Sequence, residues 1–178
     1  MKIIGIAGIL EFPKKSEGRL WKKLRNAFNK HIPNAEFVFE GVFYFPWEKT
    51  KICNFSESVI NKHDTGEDII LVGYSFGGII ATAIAERFKI SHVRMVVTIV
   101  TPHKIKIFSR MLGYSKEAPV PIISFGGIFD LVVPCSITKH PRSKQHIRLL
   151  SDHLILFLFS CRPAERIARV TKTWIGLD

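Results

Sequence analysis

The sequence is poor in the features that mark secreted, metal-binding or membrane-spanning proteins. It has three cysteines among 178 residues, and Cys53, Cys135 and Cys161 stand at wide spacing, which fits neither a disulfide framework nor a zinc site. Its longest purely apolar run covers only residues 154–159, far too few for a membrane span. We therefore expect a cytoplasmic protein with reduced thiols and without a transmembrane segment, metal or cofactor.

The first ten residues do not have the pattern of a signal peptide either. The chain opens on an apolar run with one lysine, but Gly5 and Gly8 interrupt the run, Glu11 and Pro13 end it, and no small-residue cleavage site follows. This pattern predicts a first core strand over residues 2–10.

Acidic residues are also scarce. The chain carries 15 Asp and Glu against 26 Lys and Arg, a formal net charge of +11, which favours anionic partners such as phospholipid headgroups, acidic glycans or nucleic acid. The basic residues are spread along the chain without a nucleic-acid-binding motif, so nucleic acid is disfavoured. Peripheral contact with an anionic surface remains open.

The rest of the composition is that of a globular protein, with 47% hydrophobic and 23% charged residues. The length suits one domain over residues 1–178. Within it, an apolar run at 69–72 precedes Gly73-Tyr74-Ser75-Phe76-Gly77, and apolar residues at helical spacing follow. Strand, sharp turn and helix in this order favour Ser75 as a nucleophile held up by a strained turn. The other reading is a glycine-rich turn with an ordinary serine.

Strands and helices alternate along the remaining chain. Apolar patterns predict strands over 2–10, 35–45, 93–100, 120–125 and 146–151, besides the one at 69–72, and helices over 16–28 with Ser16 as N-cap, 50–63, 104–112 and 163–175. This alternation predicts an α/β three-layer sandwich, in which a mostly parallel sheet of about six strands has helices on both faces. In such sheets functional residues collect at the carboxyl ends of strands.

A serine nucleophile needs a histidine base and a carboxylate that orients it. Of the acids after Ser75, Glu86 falls within the following helix, Glu117 precedes a strand, and Asp152 adjoins the best histidine and would point away from it. Asp130 follows a strand and is the predicted acid.

His153, after the last predicted strand, is the predicted base. His103 also follows a strand and could line the site, whereas His146 starts a strand. His31, His63 and His140 are expected in surface loops or at helix ends.

Several stretches together resemble the α/β-hydrolase superfamily, and within it the lipase and esterase group, over nearly the whole chain. LVGYSFGG at 71–78 is similar to that group's serine elbow, with Tyr74 and Phe76 in place of histidine and methionine. VTIVTPH at 97–103, SFGGIFDLVVP at 124–134 and the tail from 153 to 175 resemble its later motifs. IAGIL at 6–10 matches its His-Gly turn, with Ala7 replacing the histidine.

The resemblance implies a minimal α/β-hydrolase without a cap domain, which cleaves carboxylic esters through an acyl-enzyme. It assigns the oxyanion hole to the backbone N–H groups of Phe76 and Ile9 and substrate contacts to Leu10, Tyr74, His103 and Phe108. An apolar stretch with basic flanks at 104–112 would form a flap on an anionic surface or pack on the core. A thioesterase or acyltransferase with the same three residues is an alternative. So is a binding protein on this scaffold, although a complete Ser75, Asp130 and His153 set argues against it.

Overall fold

The computed structural model describes residues 1–8, 18–41, 47–87, 92–105, 120–151 and 160–177. The strands are β1 Lys2–Ile6, β2 Glu36–Glu40, β3 Ile69–Tyr74, β4 Val93–Ile99, β5 Ile122–Gly127 and β6 Gln145–Leu149. The helices are α1 Arg19–His31, α2 Lys49–His63, α3 Phe76–Arg87 and α4 Arg162–Trp174, with a short 3-10 turn at Cys135–Ile137.

The six strands form one sheet in the order β2-β1-β3-β4-β5-β6. Every neighbouring pair is parallel, an arrangement in which consecutive paired strands need a crossover connection rather than a tight hairpin. The chain steps from β1 outward to β2 and then builds from β3 in the opposite direction. The carboxyl ends of β1 and β3 therefore flank a topological switch point, the place where open α/β sheets bind ligands.

Two apolar layers cover the two faces of the sheet. Alternate residues of a strand point to opposite faces, so Ile3 joins the core under α1 and α4, which contains Trp21, Phe28 and Ile167. Ile4 joins the core under α2 and α3 on the other side. The predicted three-layer sandwich is thus confirmed.

The order of the strands and helices agrees with the prediction, but the residues at which they begin and end differ from it. The apolar stripe of α1 was correctly located, but the helix begins at Arg19 after the N-cap Gly18 and continues to His31, because a stripe marks the buried face rather than the ends. Ser16 lies outside the described residues. Strand β2 ends at Glu40, while residues 42–45 of the predicted strand lie outside the described residues, and β6 ends at Leu149.

Two other features concern membranes. No helix in the described ranges is long and apolar enough to cross a bilayer. The predicted helix over 104–112, the proposed flap, lies outside the described residues from position 106 onward.

Candidate active site

Ser75 lies on a tight turn between β3, which ends at Tyr74, and α3, which begins at Phe76. Its φ is +52°, in the left-handed region that costs a residue with a Cβ about 1–2 kcal/mol. Two hydrogen bonds hold this backbone: the Ser75 N–H donates to the carbonyl of Ile99 at 2.8 Å, and the Gly78 N–H donates to the carbonyl of Ser75 at 3.1 Å. The sheet and the helix together therefore fix a strained serine at the switch point.

The two glycines of the pentapeptide are required by close backbone contacts. A Cβ on Gly73 would lie 2.3 Å from the Cα of Gly78, and a Cβ on Gly77 would lie 2.2 Å from the carbonyl oxygen of Ile6. Real Cβ atoms do not approach other atoms this closely, so α3 can pack at this distance only without those side chains. The spacing of the motif thus follows from the packing of α3 on β1 and β3.

The strain at Ser75 leads to a stability prediction. Glycine tolerates a positive φ without the Cβ penalty, so Ser75→Gly is expected to be more stable than Ser75→Ala by about 1 kcal/mol, or about 3 °C in Tm. Thermal unfolding of both variants measures the difference. The same pair at Ser56, inside α2, is the control, where Ala is expected to be more stable than Gly by a similar amount. The same sign at both positions would contradict a strained Ser75.

The turn after β1 lies directly against Ser75. A Cβ on Gly8 would be 3.1 Å from the Cβ of Ser75 and 3.6 Å from its Oγ, so a side chain at position 8 would crowd the Ser75 side chain. Phe76 follows Ser75 as the first residue of α3. The predicted second oxyanion donor, Ile9, lies outside the described residues, as does Leu10.

Asp130 follows β5 and is 3% exposed. Its Oδ1 accepts the N–H groups of Val132 at 3.0 Å and Val133 at 2.7 Å, which form a tight turn around the carboxylate. The neighbouring Phe129 N–H donates to the carbonyl of Ser151 at 3.0 Å. The end of β6 is therefore bonded to the segment that carries Asp130. The described chain stops at Ser151, two residues before His153, and the predicted base lies outside it.

The other predicted substrate contacts are buried or not described. The ring of Tyr74 is packed in the core under α1 and α4. His103 is 2% exposed and its ring meets that of His140 edge-on, with centroids 4.7 Å apart. Burial, with smaller effects of His140 and His146, holds the pKa of His103 well below its usual range. Phe108 lies outside the described residues.

The prediction of a surface position for His140 is wrong, because the side chain is fully buried. Its Nε2 lies 3.9 Å from Glu86 Oε1, and Arg142 forms an ion pair with the same carboxylate. Burial and the charge of Arg142 lower the pKa of His140 to about 4, so the ring is neutral near pH 7. Glu86 continues the apolar α3, where a buried carboxylate needs a cation, and that cation is Arg142 rather than the neutral His140.

A second strained residue follows β4, and nothing in the sequence pattern points to it. Val100 has a φ of +44° and is fully buried, an uncommon conformation for a β-branched side chain. Its N–H donates to the carbonyl of Phe125 at 2.8 Å. The next residue, Thr101, lies against Gly78, where a Cβ would be 1.9 Å from the threonine Oγ1. The end of β4 is thus shaped around the first turn of α3.

The described part of the chain contains no group of three or more His, Cys, Asp or Glu side chains placed to hold a metal ion. The described groups at the carboxyl ends of the strands include the Ser75 hydroxyl after β3 and the buried Asp130 carboxylate after β5.

Comparison with known proteins gives a partial match to one family model and a fold. The model of the PGAP1-like alpha/beta domain family matches residues 50–110, a range that contains the Ser75 turn. A search of curated protein sequences finds no match.

Solved structures match nearly the whole chain at low sequence identity. Est1E from Butyrivibrio proteoclasticus has a TM-score of 0.69 at 12% identity, covering 98% of this chain and 88% of that one. A monoacylglycerol lipase from Paleococcus ferrophilus has 0.63 at 12%, covering 98% and 93%. The RedJ thioesterase of the prodiginine pathway in Streptomyces coelicolor has 0.62 at 12%, covering 95% and 84%. The parallel sheet, the left-handed serine between β3 and α3 and these matches together show that the chain has a minimal form of the α/β-hydrolase fold.

Proposed function

We propose that this chain is a serine hydrolase that cleaves carboxylic esters through an acyl-enzyme intermediate. One observation carries the proposal: Ser75 is held at a φ of +52° on the strand-to-helix turn at the switch point of the sheet. Backbone strain of this kind persists where the surroundings enforce it, and it clusters at active sites. The strain is the reason to assign Ser75 a chemical role rather than a role in the turn alone.

In the proposed reaction, the Oγ of Ser75 attacks the acyl carbonyl while His153 takes the hydroxyl proton. The bond from the acyl carbon to the alcohol oxygen then breaks, and His153 passes the proton to the departing alcohol. Water, deprotonated by the same histidine, attacks the acyl-enzyme and releases the acid. Asp130 holds the imidazole in the orientation that both steps need and stabilises its positive charge.

The sheet spacing supports this division of roles. Ser75 follows β3 and Asp130 follows β5, with β4 between them, and two strand spacings amount to about 10 Å. A gap of this width accommodates an imidazole between a hydroxyl and a carboxylate. His153 follows Ser151 by two residues, and the Ser151 carbonyl is bonded to Phe129 beside Asp130.

The backbone N–H groups of Phe76 and Ile9 are proposed to stabilise the negative charge that develops on the carbonyl oxygen. Phe76 begins a helix of 12 residues, whose amino end carries a partial positive charge. Gly8 lies against Ser75, which supports a donor from the following residue. Losing one such donor typically lowers kcat by about a hundred- to a thousand-fold.

An apolar rim, defined as Ile128, Phe129, Leu131, Val132 and Leu150, supports an acyl substrate of medium or long chain. These side chains are exposed, Leu131 by 94%, and they flank Asp130 at the carboxyl edge of the sheet. Exposed apolar groups in such a concentration mark a contact surface for an apolar ligand. Leu10 and Phe108 remain predicted contacts. Peripheral contact with an anionic surface and a cytoplasmic location also remain predictions.

Shortening the rim is expected to change the preference for acyl length. Leu131→Ser removes an exposed apolar side chain without touching the hydrogen bonds of Asp130, so kcat/KM for an octanoyl ester is expected to fall about fivefold, equivalent to about 1 kcal/mol of lost burial. The rate with the acetyl ester is expected to stay unchanged. Leu177→Ser, at an exposed leucine near the end of the chain, is the control. An unaltered octanoyl-to-acetyl ratio in Leu131→Ser would remove the rim from the substrate site.

A thioesterase is the second candidate, because one structural neighbour is named a thioesterase. Steady-state turnover of an oxygen ester and a thioester with the same octanoyl group separates the two. The proposal expects a higher kcat/KM for the oxygen ester. A strong preference for the thioester would reassign the substrate class but keep the acyl-enzyme, whereas no turnover of either would favour a binding protein on this scaffold.

A further inference from the structure

A cavity of about 330 Å³ opens beside β5 and β6. Ile128 of the apolar rim lies at its wall, and the other described lining residues are basic or polar side chains from the segments that follow β4 and β5 and from β6: Lys104, Cys135, Ser136, Lys139, His146 and Arg148. None of the described residues lining it is acidic. The cavity therefore gathers positive charge at one place on the surface.

The three permanent cations of this cavity have no carboxylate partners among the described residues. Within the described ranges, ion pairs hold cations such as Lys30, Arg94 and Arg142. Lys104, Lys139 and Arg148 form no such pair in that part of the chain. Unneutralised like charges raise the free energy of a folded protein. A bound anion would therefore stabilise the group formed by Lys104, Lys139 and Arg148.

The electrostatics of His146 indicate that the three cations converge. Burial is the first cause that lowers the pKa of this ring, and the positive charges of Lys139, Arg148 and Lys104 lower it further. Side chains from three different segments thus act on the same imidazole. An anion bound among them would interact with all three.

A hydrogen-bond chain fixes the orientation of that imidazole. The Thr138 hydroxyl donates to the carbonyl of Cys135 at 2.8 Å and lies 2.9 Å from His146 Nε2. Since a hydroxyl has a single hydrogen, His146 Nε2 donates to Thr138. The ring is therefore held in place at the wall of the cavity, and protonation of Nδ1 would add a fourth positive charge there.

We propose that this cavity binds a phosphate group. Three fixed cations and a titratable fourth suit the charge of a phosphate dianion, and Lys and Arg are its usual protein ligands, Arg through its planar fork. The volume exceeds what the ion alone needs, which leaves room for the organic part of a phosphomonoester. The convergence of the cations on one cavity, rather than along a stripe, distinguishes this site from a nucleic-acid surface.

Titration calorimetry of the full chain with inorganic phosphate, and separately with glycerol 3-phosphate, in low-salt buffer tests the proposal. One saturable site is expected. The double variant Lys139→Gln/Arg148→Gln is expected to weaken binding about a hundred-fold, since each charge-assisted hydrogen bond typically contributes a factor of about ten or more. The control Lys22→Gln/Lys49→Gln removes the same charge from exposed lysines of α1 and α2 and is expected to stay within about twofold of wild type.

Vesicles containing phosphatidic acid form a second arm, which identifies the source of the phosphate. Binding to vesicles alone, weakened in the cavity variant and kept in the control, would assign the site to a lipid headgroup and support the proposal. An NMR titration of His146 adds a local readout, because bound phosphate is expected to raise its pKa. Absence of binding in both arms, or equal weakening by both double variants, would overturn the proposal.

The cations of this site have no role in the proposed hydrolysis, although Ile128 lines the cavity and also belongs to the apolar rim. Ser75→Ala is expected to bind phosphate as tightly as wild type does. A failed ester assay would therefore leave the phosphate site standing, and a failed phosphate titration would leave the ester proposal standing.

Discussion

Replacing Ser75 with alanine is expected to lower kcat/KM for an octanoyl ester by about ten-thousand-fold or more. The expectation rests on the proposed acyl-enzyme: without Oγ no covalent intermediate forms, and only binding and oxyanion stabilisation remain. Stopped-time assays with high enzyme concentration measure the residual rate. The variant keeps the left-handed turn, since alanine carries the same Cβ as serine, so a change of fold is not expected.

A matched serine separates loss of the nucleophile from loss of structure. Ser56 is buried in α2 and its hydroxyl donates to the Ile52 carbonyl at 2.8 Å, so Ser56→Ala removes a buried hydroxyl far from the switch point. Its kcat/KM is expected to stay within about twofold of wild type. Equal activity of wild type and Ser75→Ala would contradict the assignment of the nucleophile.

Replacing Asp130 with asparagine is expected to lower kcat by about a thousand- to ten-thousand-fold while the protein remains folded. An amide oxygen accepts the Val132 and Val133 N–H groups as the carboxylate Oδ1 does, so the turn is preserved. The amide supplies no negative charge to stabilise the imidazolium and can impose the wrong tautomer. Comparison of kcat with Tm for the variant measures the two effects separately.

The alternative for Asp130 is a purely structural turn aspartate. In that case Asp130→Asn would be as active as wild type, since the two hydrogen bonds remain. Asp64→Asn is the control, because Asp64 is exposed and lies between α2 and β3. It precedes the amino end of β3, whereas Ser75 follows the carboxyl end of the same strand. Its kcat is expected to be unchanged. Full activity of Asp130→Asn would contradict the proposed role of this carboxylate.

The order of the elements could be predicted because each buried face leaves a pattern. The run at 69–72 is apolar at every position, as a strand covered on both sides must be, and α1 repeats its apolar residues at Leu20, Leu24 and Phe28. The ends of elements left a weaker pattern. Gly18 caps α1 without a side-chain hydrogen bond, so no typical capping residue marks the start of this helix in the sequence.

The site was predictable where a local conformation demands particular residues. Gly73 and Gly77 flank Ser75 because a Cβ at either position would collide with backbone atoms. The left-handed Val100 and the buried His140 left no such pattern, because contacts with residues distant in sequence determine them. For His140 the contact is with Glu86, and for Val100 it is with Phe125. The phosphate site was also invisible in sequence, since its cations come from separate segments of an evenly basic chain.

Labelling with a fluorophosphonate probe, followed by peptide mass spectrometry, tests the central claim most directly. Such a probe reacts with an activated serine and not with an ordinary one. The account predicts one adduct, on Ser75, which disappears in Ser75→Ala and in His153→Ala while both variants remain folded. An unlabelled Ser75 in folded wild-type protein, or labelling that persists in His153→Ala at the wild-type rate, would contradict it.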